Sequence, residues 1–242
     1  MTVADDALTE GSLLFFKYSA VNVVGESETS NEIVHALAVY PAAPENLVKV
    51  NTLSSLTSIH LKWDIVADYE INVIGYNVLM ETNRNGEFNL IYDGRNYPGI
   101  NYFEASGLTT GSRYRFKVAA LNHNGVGDYT EPLEFFSCLP PEEILPPTYV
   151  SSTKTSLSLD WTSPAVTNGC PVEKFELYIN DGENGDVDTL VAEFEPQVSS
   201  YTIDSFTEAD TSKQYRLQVK GINAGGSTIS GNAMFTLAAP PS

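Results

Sequence analysis

Cysteine is scarce in this 242-residue chain: Cys138 and Cys170 are the only two, which excludes a disulfide-dense mini-domain. Positive charge is scarce as well. Thirteen Lys and Arg stand against 31 Asp and Glu, a formal net charge of −18. That balance argues against nucleic acid or an anionic lipid surface as partner, because both require clustered basic side chains. No apolar run is long enough to cross a bilayer as a helix, so no membrane insertion is expected. Met1-Thr2-Val3-Ala4-Asp5-Asp6 lacks the basic and apolar regions of a secretion signal. None of the eighteen Asn opens an Asn-x-Ser/Thr triplet, which leans away from a heavily glycosylated surface.

Catalytic motifs are missing too. His35, His60 and His123 lie in different contexts, and there is no His-Glu-x-x-His, Cys-x-x-Cys or Gly-x-Ser-x-Gly. Gly125-Val126-Gly127 begins like a dinucleotide loop, but no helical pattern follows, so it reads as a turn between strands. The densest set of hard oxygen ligands is Asp181, Glu183, Asp186 and Asp188. It is the one candidate Ca²⁺ site. Asp186 stands where an EF-hand loop needs Gly, and a hairpin turn of solvated acids is the other reading. No cofactor and no catalysis are expected.

What the chain does have is one phrase written three times. Phe16-Lys17-Tyr18-Ser19-Ala20-Val21-Asn22 returns as Phe116 to Asn122, and more loosely as Leu217 to Asn223, with Asn-to-Asn steps of 100 and 101 residues. A period of that size is a whole domain rather than a solenoid repeat. Within it the pattern has period two. Tyr114, Phe116, Val118 and Ala120 alternate with Arg115, Lys117 and Ala119; Ile59, Leu61 and Trp63 alternate with His60 and Lys62; Leu157, Leu159 and Trp161 share one face, with Asp160 outward. These are half-buried strands. Further strands are predicted near 73–82, 87–93, 101–107 and 130–137, and again near 173–180, 187–195, 199–206, 213–223 and 228–237. No amphipathic helix is evident. About seven short strands per repeat make an all-β sandwich.

Trp63 precedes Tyr114 by 51 residues and Trp161 precedes Tyr215 by 54, the difference falling between Leu108–Tyr114 and Phe206–Tyr215. One Trp on the second strand and one Tyr opening the sixth, without paired cysteines between them, resembles fibronectin type III domains. So do Leu108-Thr-Thr-Gly111-Ser-Arg-Tyr114-x-Phe116-x-Val118-x-Ala120-x-Asn122, the run Gly25-Glu26-Ser27-Glu28-Thr29-Ser30, and Trp161-Thr-Ser-Pro164 with Gly169-Cys170-Pro171-Val172. The chain departs from the family pattern in three places: no Pro follows Trp63, Leu14 replaces the corner Tyr, and Gly221 replaces an Ala. The resemblance implies tandem seven-stranded immunoglobulin-like sandwiches, with Trp63 and Trp161 packed inside and Tyr114 and Tyr215 anchoring corner hydrogen bonds.

Proline-rich stretches, Tyr40-Pro41-Ala-Ala-Pro44 and Leu139-Pro140-Pro141 through Pro146-Pro147, give the boundaries: a partial domain at 1–42, a domain at 43–139 and another at 140–242. Such linkers are extended and semi-rigid, and Ala239-Pro240-Pro241 reads as the opening of another, as in a segment of a longer array. Residues 1–40 hold only last strands, so Leu14, Phe16, Tyr18 and Ala20 would face a missing sheet. Another chain, a preceding polypeptide or the flank of the second repeat is expected to cover them.

Cys138 and Cys170 should both lie near one interdomain junction. Either they bond and lock the hinge, or they are two free thiols. The loops at 122–129 and 223–227, with Asn122, His123, Asn124 and Asn223, are predicted contacts for protein partners. The expected function is a non-catalytic spacer, adhesion or scaffold segment, or else accessory domains of a larger enzyme or cell-surface receptor. The resemblance places it outside the cell or at its surface. Few cysteines and no glycosylation triplets also suit an intracellular cytoskeletal or ciliary array.

Overall fold

The computed structural model describes residues 9–67, 71–81 and 85–237. Position 82 of the predicted 73–82 strand and the closing Ala239-Pro240-Pro241 lie outside them. Two compact units make up the chain. One comprises residues through Val50 with His60–Ala105 and Tyr114–Phe135; the other comprises Asn51–Ile59, Ser106–Arg113 and Phe136 onward.

The first segment forms β1 (Leu13–Phe16), β2 (Val21–Asn22), β3 (Gly25–Glu26) and β4 (Ile33–Ala36), with β1 antiparallel to β4 and β2 to β3. Its apolar side chains are open to solvent: Phe16 is 42% exposed and Tyr18 75%, while Leu14 is half-buried and Ala20 exposed. The cover expected over this face is not supplied by the described residues.

Next come β5 (Val48–Lys49), β6 (Ser58–Lys62), β7 (Gly75–Glu81), β8 (Phe88–Asp93), β9 (Tyr102–Ser106), β10 (Arg113–Asn122), β11 (Gly125–Tyr129) and β12 (Leu133–Phe136). They form two sheets, β5-β6-β9 and β11-β10-β7-β8, with β12 also pairing β10. Ile59, Leu61, Trp63, Phe116, Val118 and Ala120 are all 0% exposed, so both alternating faces point into a core, where the Trp63 ring lies 5.6 Å from Tyr76. Ala119, placed outward by alternation, is also buried. It is a short side chain flanked by Asn77 and Tyr129 across the ladder, and the longer neighbours cover it.

The last repeat runs β13 (Thr148–Ser152), β14 (Leu157–Asp160), β15 (Val172–Ile179), β16 (Thr189–Phe194), β17 (Ser200–Ile203), β18 (Gln214–Asn223), β19 (Gly226–Ile229) and β20 (Ala233–Thr236). Its sheets are β13-β14-β17 and β16-β15-β18-β19, with β20 beside β18. Leu157, Leu159, Trp161, Phe175, Leu177, Tyr215, Leu217 and Val219 fill one core, and Trp161 lies 4.9 Å from Phe194 and 6.4 Å from Phe175. The three residues by which this repeat exceeds the second between core and corner Tyr become the one helical turn among the described residues, Glu208–Asp210. Thr207 donates to Asp210 through both its N–H (2.9 Å) and its hydroxyl (2.8 Å), which holds the Asp210 carboxyl down at about 2.

The structure also forms first strands, β5 and β13, that alternation did not predict. β5 has only two residues, and the register of β13 slips between Tyr149 and Ser151, so neither offers a readable period. The last strand of each complete repeat is broken in two: the predicted 228–237 run splits into β19 and β20, and the predicted 130–137 run covers only β12, because Gly125-Val126-Gly127, expected as a turn, already pairs as the start of β11. At each break a hydroxyl takes over one rung of the ladder. Thr130 N–H donates to the Val118 carbonyl while Val118 N–H donates to Thr130 Oγ1. Ser230 makes the same exchange with Val219, and Ser30 with Tyr18. This is the physical role of the serine that ends Gly25-x-Ser-x-x-Ser30.

On the outer face of β15, Glu176 accepts from Lys174 (2.8 Å), Lys220 (3.0 Å) and the Tyr178 hydroxyl (2.8 Å). Burial pushes its carboxyl up, but those three hydrogen bonds outweigh burial and hold it at about 2. A carboxyl depressed by folding stabilises the protein above its ordinary value of 4.5 and loses that contribution as pH falls through about 2. Glu176→Gln should therefore cost about 2–3 kcal/mol at neutral pH and progressively less below pH 4.5. Urea midpoints measured at several pH values check this, and a deficit that stays constant into acid contradicts it.

Candidate functional site: the linker clamps

Each complete repeat begins with an extended linker rich in proline, and proline contributes no amide donor. Carbonyls of such a linker that become buried must find donors elsewhere. The loop between the sixth and seventh strands supplies them, through the Asn that ends the thrice-written phrase.

In the first unit Asn122 is 3% exposed. Its Nδ2 donates to the Val39 carbonyl at 2.7 Å, and its Oδ1 accepts the Asn124 amide at 2.9 Å. Asn124 in turn accepts from the Ala36 amide (2.6 Å) and donates to the Ala36 and Ala38 carbonyls (3.0 and 2.7 Å). The linker lies directly on the strand that follows: Asp128 N–H donates to Pro41 O at 3.3 Å, and a Cβ on Gly127 would stand 2.1 Å from that oxygen. Only glycine admits so close an approach.

The second unit repeats the device. Asn223, also 3% exposed, donates through Nδ2 toward the carbonyls of Leu139 (3.0 Å), Thr167 (2.9 Å) and Cys170 (3.2 Å). Its Oδ1 accepts the Gly225 amide at 2.8 Å. A Cβ on Gly225 would meet the Leu139 backbone at 2.6 Å. Asn51 donates to the Gly225 carbonyl at 2.9 Å, and Asn168 donates to the Pro140 carbonyl at 2.8 Å while its own carbonyl accepts the Leu139 amide at 3.0 Å.

A disulfide closes this second clamp. Cys138 and Cys170 are bonded with Cα atoms 5.8 Å apart, inside the reach such a bond needs, and both are buried. Of the two alternatives the sequence left open, the structure therefore has the bond and no free thiol.

Asn22, at the first copy of the phrase, keeps the inner half of the arrangement. Its Oδ1 accepts the Val24 and Gly25 amides at 2.8 and 3.2 Å.

Three of the four loop side chains expected at a partner surface are thus committed inside the chain. Asn122, Asn124 and Asn223 hold linker backbone, and only His123 stays exposed. Sequence reasoning also passed over Asn51, Asn168, Gly127 and Gly225. The available signal was the Asn at a fixed distance after each proline linker, 83 residues from Val39 to Asn122 and 84 from Leu139 to Asn223.

Of the aromatic anchors, Tyr215 is buried, 4.9 Å from Phe206, whereas Tyr114 is half-buried. The four candidate metal ligands do not converge. Asp181 Oδ1 accepts the amides of Glu183 and Gly185 at 2.8 and 3.0 Å, and Glu183 pairs with Lys213 at 3.3 Å. Among the described residues no group of three His, Cys, Asp or Glu is placed to hold a metal. The histidines stay apart, His35 beside Phe16 and His60 stacked on Tyr102 at 5.6 Å.

Residues 42–136 match the fibronectin type III domain model. The chain is 27% identical to human Myomesin-2 over 229 residues, 90% of this chain and 15% of that protein. It is 29% identical to the Caenorhabditis elegans tyrosine-protein phosphatase Lar-like over 170 residues, 63% of this chain and 7% of that protein. The chain thus spans a small part of these relatives' length. A crystal structure of chicken CNTN1 FN1-FN3 domains superposes at a TM-score of 0.48 and 15% identity, covering 93% of this chain and 78% of that one.

Asn223→Ala should leave buried carbonyls short of a donor and cost about 1–3 kcal/mol. In urea titrations followed by amide exchange, it should speed exchange at Gly225 and Leu139, whereas His123→Ala changes neither quantity. Equal behaviour of the two variants contradicts the clamp.

Proposed function

We propose that the chain, whose residues 42–136 match the fibronectin type III domain model, is a non-catalytic spacer and docking segment that fastens each proline-rich linker to the repeat that follows it and presents its domains to protein partners. The observation that carries this reading is the Asn223 clamp. One amide group binds carbonyls from the linker and from the loop that bears Cys170, so the entering chain and the receiving domain are fastened at a single point. A tandem joined only by flexible linker has no use for a buried donor there, since loose linkers solvate their own backbone. The Cys138–Cys170 bond fastens the same point a second time.

The chemistry on the surface supports binding over catalysis. Its histidines are separate, Asp181, Glu183 and Asp210 are engaged in turns and ion pairs, and its negative charge repels nucleic acid. The match to Myomesin-2, over 90% of this chain, supports a role within a long multi-domain protein. The match to the Lar-like phosphatase supports a companion reading, in which such a segment accompanies a catalytic domain carried elsewhere.

NMR relaxation tests the fastening. The Leu139 and Glu142 amides, bonded to the Asn168 and Val166 carbonyls, should be as rigid as those of β15 in the wild type, and become mobile in an Asn223→Ala variant that also carries Cys138→Ser and Cys170→Ser. A linker already mobile in the wild type overturns the proposal.

A further inference from the structure

Cys138 lies past the end of β12, and Cys170 lies in the loop before β15, with 32 positions between them along the chain. The loop they enclose holds the whole linker, β13, β14 and Trp161. A force drawn along the backbone therefore has two routes at this point, through those residues or straight across the sulfurs. The covalent route is 5.8 Å long between Cα atoms, whereas the enclosed chain extends to about 115 Å at roughly 3.6 Å per residue.

We propose that the Cys138–Cys170 bond is a mechanical bypass that also stores length under redox control. While the bond is intact, tension enters the third repeat at Cys170 and leaves through β20, so only β15 to β20 bear it. The linker, β13 and β14 stay slack. The bond is sealed from reductant in the folded protein: Cys138 is 0% and Cys170 3% exposed. A methyl group added at the neighbouring Gly169 would already stand 2.7 Å from Thr110 Cγ2 and 3.3 Å from Cys138 Cβ. Mechanical unfolding of β15 to β20 strips β17 from β14 and removes the Asn223 clamp, and the sulfurs then become accessible.

A dithiol can now act. One of its thiolates attacks a sulfur of the bond, the other cysteine departs as a thiolate and takes up a proton, and the second thiol of the reductant closes on the mixed disulfide. Two electrons pass to the protein, which is left with two thiols, and the reductant leaves as a cyclic disulfide. The enclosed segment is then released, lengthening the chain by about 110 Å at full extension. Extension is thus staged: unfolding comes first, reduction second, and the second step is available only after the first.

This deepens the reading of the chain as a spacer, and the two fail in different ways. A linker that is mobile in solution would overturn the fastening without altering any step length under force.

The test is single-molecule extension of the full chain held at its two ends, with and without dithiothreitol. Without reductant, the third repeat should unfold in a step about 110 Å shorter than in the Cys138→Ser, Cys170→Ser variant. With reductant, the wild type should show the short step first and an added step of about 110 Å afterwards. The wild type with and without reductant is sufficient by itself if the variant does not fold. An added step that precedes unfolding, or a full-length step in unreduced wild type, overturns the proposal. So does rapid reduction of the bond at zero force, read as thiols labelled by iodoacetamide in the native protein.

Discussion

A backbone carbonyl taken out of water needs a donor, and a linker rich in proline has few of its own. The joints of this molecule are arranged around that requirement. A single carboxamide at the end of the sixth strand meets it twice, as Asn122 with Val39 and as Asn223 with Leu139. The glycines at 127 and 225 follow from it, because the linker must come close enough for the bond to form. So does the acceptor half of each amide, which ties the loop tip back on itself through Asn124 or Gly225. An unpaired buried amide is more costly than a missing contact, so loop, linker and strand have to be placed together or not at all.

The two joints share that device and differ in what surrounds it. The earlier one has no disulfide and relies on hydrogen bonds and close packing, with Asn124 making three hydrogen bonds to Ala36 and Ala38. At the later one, further polar side chains of the same unit add bonds, Asn51 to Gly225 and Asn168 to Pro140, together with a covalent one. In a chain of net charge −18, long-range repulsion works against close packing, and directional neutral contacts of this kind tie a linker to the repeat it enters without adding to the charge.

The sandwich was legible in the sequence because its information is local. Period-two alternation put Ile59, Leu61, Trp63, Phe116 and Val118 inside, and all are buried. The extra residues before Tyr215 marked the place where a helical turn appears. The joints were much less legible. Each clamping Asn and the linker carbonyl it holds sit more than 80 residues apart, in stretches that each look like ordinary turn. Asn in a loop between strands reads as solvated, and nothing in the composition of 122–124 distinguishes an amide facing water from one facing a linker carbonyl. The sulfur pair was left open for the same reason, since bonding depends on a separation of a few ångströms that only coordinates give. The break in the 228–237 run was hidden because Ser230 stands in for the backbone with a hydroxyl, which keeps the alternation running across the interruption, and β11 was hidden because Gly125-Val126-Gly127 has the composition of a turn.

The turn at Glu208–Asp210 has one more consequence. In the second repeat the matching turn is short, and Gly111, in the left-handed region at φ 71°, lies so near the Gly169 carbonyl that an added Cβ would be 2.5 Å from it. The third repeat carries an acidic helical turn in that position and no matching glycine. Domains that look alike in their cores are therefore not interchangeable bricks.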